Sequence, residues 1–154
     1  MIRYAAIQDQ GPINALRRDV NDLHTQGRPD IFKPGFSREF QDHVLPYLRR
    51  ENGYAAVAER EQRIAGMVMV DYILRPENPY TLERRFVHIA EICVHPDFRR
   101  QGVGEQLLDF VKSDARAQGF RRIELDVWAF NDALSFYEKE GFTTFRRFME
   151  LFLD

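Results

Sequence analysis

The segment Arg99-Arg100-Gln101-Gly102-Val103-Gly104 has the composition of a loop that binds phosphate. It comes directly before a stretch whose apolar residues recur at helical spacing. Gly102 and Gly104 carry no side chain, so backbone N–H groups can approach a ligand closely at these positions. The first N–H groups of a helix have no partner inside the helix, and the helix dipole favours anions there. With two added arginines, residues 99–104 are predicted to bind a pyrophosphate group.

Two common phosphate-binding loops do not fit this segment. No Gly-Lys-Ser/Thr follows the glycines, as a Walker loop requires, and the third glycine of a dinucleotide-binding loop is missing. The alternative is a flexible, basic helix cap that holds no ligand.

Flanking residues make the pattern more specific. Val94-His95-Pro96 precedes the loop, and residues 136–142 read Phe-Tyr-Glu-Lys-Glu-Gly-Phe. A strand ending in Val-x-Pro, then Arg-x-x-Gly-x-Gly, then Phe-Tyr-x-x-x-Gly-Phe resembles the acetyl-coenzyme A site of the GNAT superfamily of N-acetyltransferases. The resemblance by motif runs from Ile89 to Phe142. Asn131 and Tyr137 are six positions apart where family members commonly have seven, so the helix start between them is expected to be tight.

The resemblance implies that an amine attacks the thioester of acetyl-coenzyme A (acetyl-CoA) directly, in a ternary complex and without a metal. It also implies that the strands at residues 86–94 and 123–128 splay apart to hold the pantetheine arm between them. The residues that it assigns to acetyl-CoA binding are Ile92, Cys93, Val94, Arg99, Arg100, Gln101, Gly102, Val103, Gly104, Asn131, Phe136 and Tyr137. The Cys93 thiol itself is not expected to be a nucleophile, because a lone cysteine in an apolar strand usually belongs to the core.

The same resemblance gives candidates for proton transfer. Tyr137 is predicted to be the general acid that protonates the leaving thiolate; the alternative is that its ring only packs against coenzyme A. Glu91 is the preferred general base, with His88, Asp126 or water as alternatives. Strand alternation places His88 and Glu91 on opposite faces of their strand unless a bulge breaks the parity.

The acceptor is predicted to be a primary amine: a small amine, an amino acid, an aminoglycoside-like compound or a protein N-terminus. The loop after the first helix contains Asp22, His24, Asp30 and Phe32, which suit a cationic amine. Alternatively, this loop is a proline-rich connector that Phe32 anchors to the core. The main alternative function is a non-catalytic acyl-CoA sensor or regulatory domain on the same fold.

Composition sets further bounds. The 154 residues are enough for one domain, residues 1–154, with 44% hydrophobic residues for its core. A net charge of −2 argues against nucleic-acid binding, which needs a basic surface. The first residues lack the apolar run of a signal peptide, and no apolar stretch is long enough to cross a membrane, so a cytoplasmic protein is expected.

Periodicity predicts a mixed α/β sheet of the α+β type, with helices on both faces, as in the GNAT fold. The predicted strands are residues 2–6, 54–58, 64–72, 86–94, 123–128 and 142–153. The predicted helices carry their apolar residues between Ile13 and Leu23, between Phe36 and Leu48, between Val103 and Ala115, and within residues 132–140. Ser37 is expected to cap the second helix and Pro46 to kink or end it. The apolar edge strand at residues 148–153 is a candidate for pairing with a second copy in a homodimer.

Overall fold

The fold is built on five strands and five helices, and the computed structural model describes all 154 residues. The strands are β1 (Ile2–Tyr4), β2 (Gly53–Arg60), β3 (Arg63–Arg75), β4 (Arg84–Val94) and β5 (Ile123–Glu124). The helices are α1 (Gln10–Gly27), α2 (Arg38–Asp42), α3 (Leu45–Leu48), α4 (Val103–Ala117) and α5 (Leu134–Lys139). Short 3-10 turns lie at Ile7–Asp9 and Pro96–Phe98.

The strands form one mixed sheet in the order β1-β2-β3-β4-β5. Neighbouring strands are antiparallel except β4 and β5, which are parallel. β2 and β3 form a hairpin, and its turn is the dipeptide Glu61-Gln62, in which both residues have positive φ (49° and 61°). Tight hairpin turns whose twist matches that of the strands require two consecutive left-handed residues.

Helices cover both faces of the sheet, as the sequence pattern predicted. On one face, α1 and α3 pack on a cluster of buried apolar side chains: Ile13, Leu16, Val44, Leu48, Val57, Met67 and Met69. On the other face, α4 and α5 pack on a second cluster that includes Val68, Val70, Val87, Ile89, Val103, Leu107, Leu108, Val111 and Tyr137. The sheet therefore separates two cores, and the residues of each strand alternate between them.

The buried face of α1 is more polar than its apolar spacing predicted. Ile13 and Leu16 are buried, but so are Asn14 and Arg17, while Leu23 is half exposed. The apolar face of α1 therefore packs in the core only along the first half of the helix. Of the buried polar residues, Arg17 faces the sheet, where it contacts Glu91.

The predicted second helix is divided into α2 and α3. The Ser37 hydroxyl accepts a hydrogen bond from the Phe40 N–H (3.1 Å), so the predicted N-cap is confirmed. Pro46 occupies the second position of α3, where its missing N–H has no intrahelical partner to lose. The chain turns between the two helices instead of continuing as one.

The C-terminal third departs from the predicted boundaries. The strand predicted at residues 123–128 is paired only at Ile123–Glu124, and the helix predicted at residues 132–140 is limited to Leu134–Lys139. The strand predicted at residues 142–153 is wrong for this chain by itself: beyond Phe142 no residue makes a backbone–backbone hydrogen bond. An apolar alternating sequence forms a strand only when a neighbouring strand is available. None of the helices is long and apolar enough to cross a membrane.

Candidate active site

The two parallel strands β4 and β5 diverge immediately after they pair. Their register holds only at Val87 with Ile123 and at His88 with Glu124, whereas β4 continues to Val94. We call the space beyond this point the β4–β5 gap. It provides the splayed strands that the family resemblance implies.

The backbone of β4 directs polar groups into the β4–β5 gap. The His95 N–H donates to the Ala65 carbonyl on the β3 side (2.8 Å). Because hydrogen-bonding groups along a strand point alternately to its two sides, those of Val94 and Ile92 point away from β3. They are available to an extended ligand lying in the gap.

At the far end of β4, the loop of residues 99–104 leads into α4. Gly102 is the N-cap of α4 and has a left-handed backbone (φ 78°), as does Arg100 (φ 60°). The N–H groups of residues 100–105 donate to no acceptor in the protein. Arg99 and Arg100 are exposed beside them. A positive helix terminus with several free donors has the chemistry of a pyrophosphate site.

The two glycines of this loop have different roles. A Cβ on Gly102 would meet nothing within 4 Å, so this position faces open space. A Cβ on Gly104 would lie 3.1 Å from Cζ of Phe136, which is tighter than ordinary packing. Gly104 therefore makes room for the aromatic ring of α5, and its N–H, like that of Gly102, has no acceptor in the protein. The Gln101 amide donates to the Asp97 carbonyl (3.2 Å) and so helps to fix the loop.

Tyr137 lies in α5 and is the most buried of the candidate catalytic side chains, with 8% of its surface exposed. Its hydroxyl forms no hydrogen bond within the protein and is not sealed from solvent. Burial raises the pKa of Tyr137 to about 12. The phenol is therefore protonated at neutral pH and free to donate.

Asn131 is held by its own segment. Its side-chain carbonyl accepts a hydrogen bond from the Ala133 N–H (2.9 Å), just before α5 begins. This hydrogen bond forms a tight turn directly before α5.

A β-bulge changes which residues of β4 share a face. Met69 of β3 pairs with Glu91, but the next residue, Val70, pairs with Ile89, so Ala90 is the extra residue. The bulge breaks the two-residue alternation and brings His88 and Glu91 to the same face, below α1 and α3. The expectation from simple alternation, that these side chains point in opposite directions, is wrong for this reason.

Glu91 is engaged in a strong structural contact. Arg17 of α1, whose side chain is 3% exposed, donates through Nε to Oε2 of Glu91 (2.7 Å). Its Nη1 donates to Oδ1 of Asn14 (2.8 Å) and to the Phe40 carbonyl (2.7 Å). This arrangement neutralises a buried guanidinium and ties α1 and the chain near α2 to the sheet.

His88 has a different environment. Its Nδ1 lies 3.7 Å from Oδ2 of Asp71 on β3, and its Nε2 lies 3.5 Å from Oδ2 of Asp126, which follows β5. The carboxylate of Asp71, more than that of Asp126, raises the pKa of His88 against the opposing effect of burial. Burial and the nearby Asp71 also raise the pKa of Tyr47 in α3.

Four aromatic rings join the end of α1 to the segment between β5 and α5. His24 stacks near Phe32 (4.8 Å between ring centroids), and Phe32 packs edge-on against Trp128 (5.1 Å). Phe130 closes the ring of contacts with Trp128 and His24, each at 6.0 Å. Phe32 therefore attaches its loop to this aromatic cluster, and it belongs to neither of the two cores to which the connector interpretation assigned it. Burial lowers the pKa of His24.

The two acids expected near the acceptor, Asp22 and Asp30, have different surroundings. Asp30 receives two hydrogen bonds from the guanidinium of Arg28, and Asp22 is exposed on the outer side of α1. The carboxylates that do lie near the gap are Asp71 and Asp126, beside His88.

The Cys93 thiol belongs to the core beside α1. Its Sγ lies 3.7 Å from the Leu16 carbonyl, and burial raises its pKa to about 12. A thiol with so little thiolate at neutral pH is a poor nucleophile.

Three side chains near the site were missed by sequence reasoning: Arg17, Tyr47 and Asp71. A signal was present for two of them. Arg17 follows Ile13 and Leu16 at the spacing of the buried face of α1, and Asp71 interrupts the apolar run of β3. A charged residue at a buried position requires a partner, and that requirement could have marked both.

Known proteins match both the sequence and the structure. The sequence profile of the acetyltransferase (GNAT) family matches residues 17–142. Human N-acetyltransferase 8 is 29% identical over 105 residues, 68% of this chain and 44% of that protein. A mutant of the BH1408 protein from Bacillus halodurans has a TM-score of 0.92 at 28% identity over 99% of both chains. A predicted acetyltransferase from Clostridium acetobutylicum, solved with acetyl-CoA, has a TM-score of 0.75 at 20% identity over 98% of this chain and 94% of that chain.

These matches define the class of the protein. The fold is that of the GNAT acetyltransferases, and the chain belongs to the GNAT family of acetyltransferases. It spans about 44% of the length of the human relative.

Proposed function

We propose that this protein is an acetyl-CoA-dependent N-acetyltransferase that acetylates a primary amine by direct attack in a ternary complex. The observation that carries the proposal is the β4–β5 gap, which runs from His88 to a helix terminus with free N–H donors. A gap of this shape matches an extended molecule with an anionic end. Tyr137, a protonated phenol with a free hydroxyl, lies in the helix beside the gap.

Each part of the site fits a part of acetyl-CoA. The backbone of Ile92 and Val94 is available for hydrogen bonds to the pantetheine arm, in the manner of an added strand. Residues 99–104 offer N–H groups and arginines to the pyrophosphate. When bound, acetyl-CoA supplies the activated acetyl group, and a β4 N–H that faces the gap is placed to polarise its carbonyl. Tyr137 is assigned the proton for the departing thiolate.

The acceptor side favours a small cationic amine over a neutral one. Asp71 and Asp126 flank His88, and the cation on the same face of the sheet, Arg17, is buried and paired with Glu91. An ammonium group is attracted to such a surface before it loses its proton. Polyamines, amino acids and aminoglycoside-like compounds are the candidate acceptors, followed by protein N-termini.

The first test is calorimetric titration with acetyl-CoA, with ATP and NADH as controls. Selective binding of acetyl-CoA is expected, because neither control combines a pyrophosphate with a pantetheine arm. A free-thiol assay over a panel of amines then identifies the acceptor. Binding without thiol release from any amine would favour the acyl-CoA sensor, and failure to bind any acyl-CoA would refute the proposal.

A further inference from the structure

Two side chains on the same face of β4, His88 and Glu91, are candidates for the base that deprotonates the amine. Their partners differ in kind. Glu91 accepts a charge-assisted hydrogen bond from Arg17, a guanidinium that is itself almost fully buried. Protonating Glu91 during a reaction would leave that buried cation without its counter-ion, which is costly. Glu91 is therefore better suited to hold α1 on the sheet than to exchange protons.

His88 can accept a proton without leaving a buried cation unpaired, which Glu91 cannot do. It is the last β4 residue paired with β5, so it lies at the vertex of the β4–β5 gap. Its side chain is 31% exposed and has no cationic partner. The half-buried Asp71 lies near Nδ1, and the exposed Asp126 lies near Nε2, at distances that allow attraction without a direct hydrogen bond.

We propose that His88 is the general base of the transfer reaction and that Asp71 is its positioning residue; this assignment rests on the proposed function. His88 Nε2 takes a proton from the attacking amine nitrogen as the new N–C bond forms and the C–S bond breaks. The electron pair of that bond leaves with sulfur, which is protonated by Tyr137. The proton on His88 passes to solvent beside the exposed Asp126, and Tyr137 regains its proton from water, so the enzyme returns to its starting state.

The titratable and charged groups around His88 determine its pH response. They are Asp71 on β3, Asp126 after β5, the un-ionised phenol of Tyr47 on α3, and two sets of offsetting charges: Arg17 with Glu91, and Glu124 of β5 with Arg84 and Arg122. The two carboxylates near the imidazole stabilise its protonated form and so raise its pKa. A base works only when it is unprotonated, so activity is expected to rise with pH through the His88 titration.

The experiment compares pH–rate profiles of the wild type with those of H88Q, D71N and E91Q, using the best amine from the panel. The same amine is used throughout, so its own titration cancels. H88Q is expected to lower kcat by about 10²-fold and to abolish the lower inflection. D71N is expected to shift that inflection to lower pH, because a negative charge that raised the His88 pKa is gone. E91Q is expected to keep the inflection and to lower the melting temperature instead.

Calorimetric binding of acetyl-CoA and circular dichroism of each variant serve as controls for folding and for the cofactor site. An H88Q enzyme with an unchanged pH profile overturns the His88 assignment alone. Loss of the inflection in E91Q but not in H88Q overturns it in favour of Glu91. A wild type that binds acetyl-CoA and acetylates no amine contradicts the proposed function, and the His88 assignment fails with it.

Discussion

At the scale of single residues, the phenol of Tyr137 is the feature most directly linked to chemistry. It is buried, protonated at neutral pH and free of hydrogen-bond partners within the protein. Phe136 and Phe142 pack against its ring, so removing the hydroxyl leaves the packing of the ring intact. Replacing Tyr137 by Phe therefore tests the role of the hydroxyl alone.

Tyr137→Phe is expected to reduce kcat by about 10²-fold, because the leaving thiolate loses its proton donor. The affinity for acetyl-CoA and the melting temperature are expected to stay close to those of the wild type. Steady-state thiol release and calorimetry measure these quantities. Phe136→Leu is a matched control in the same helix, in which the aromatic packing changes and the hydroxyl of Tyr137 remains. A Tyr137→Phe enzyme with unchanged turnover would leave Tyr137 only a packing role.

At the scale of elements, the N-terminus of α4 depends on glycine conformation. Gly102 has φ +78°, a region that other residues adopt at a cost of roughly 1–2 kcal/mol. At the other end of the same helix, Gly119 has φ +82°. A Cβ at either position would meet nothing within 4 Å. The two glycines therefore have similar backbone conformations, but a phosphate group is expected only beside Gly102.

Gly102→Ala is expected to weaken acetyl-CoA binding by roughly 10- to 100-fold, the equivalent of one lost charge-assisted hydrogen bond. Gly119→Ala is the control, because it should cost similar stability and leave the affinity unchanged. Calorimetry gives the affinities, and urea unfolding gives the stabilities. Equal affinities in the two variants would mean that the N-terminus of α4 does not hold the pyrophosphate.

At the scale of the whole molecule, the C-terminal arm, residues 143–154, is not integrated into the fold. The backbone of the arm makes no backbone–backbone hydrogen bond. One side of the arm is attached to α1, since Arg28 donates to Glu150 and lies over the ring of Phe152. The other side exposes Met149, Leu151 and Leu153, each by more than 80%. An exposed apolar segment with unpaired backbone groups is able to pair with a strand of another chain.

We expect two copies of the chain to pair through their arms. Light scattering after size-exclusion chromatography should give about twice the monomer mass of 18.2 kDa. Leu151→Glu should shift the protein to monomer, because a charge in a paired apolar strand is costly. Leu82→Glu is the control, since Leu82 is similarly exposed but lies in the β3–β4 loop. A wild type that is monomeric at all concentrations would refute this expectation.

The sequence by itself determined those features that depend on local spacing. The loop at residues 99–104, the helix after it and the Phe-Tyr-x-x-x-Gly-Phe segment each lie within a short stretch of chain. They identify the family, because glycine position and apolar periodicity restrict backbone conformation directly. The Ser37 cap and the β2–β3 hairpin could be predicted for the same reason.

Tertiary structure decided the features that join distant positions. Arg17 and Glu91 are 74 residues apart, and nothing local to either one indicates the pair. The bulge at Ala90 arises from the pairing of β4 with β3, and it alone puts His88 and Glu91 on one face. The arm reads as a strand by its alternation, but it has no partner strand within the chain. Local sequence limits the conformations that a segment can adopt, whereas its neighbours in the folded chain decide which conformation and which contacts it has.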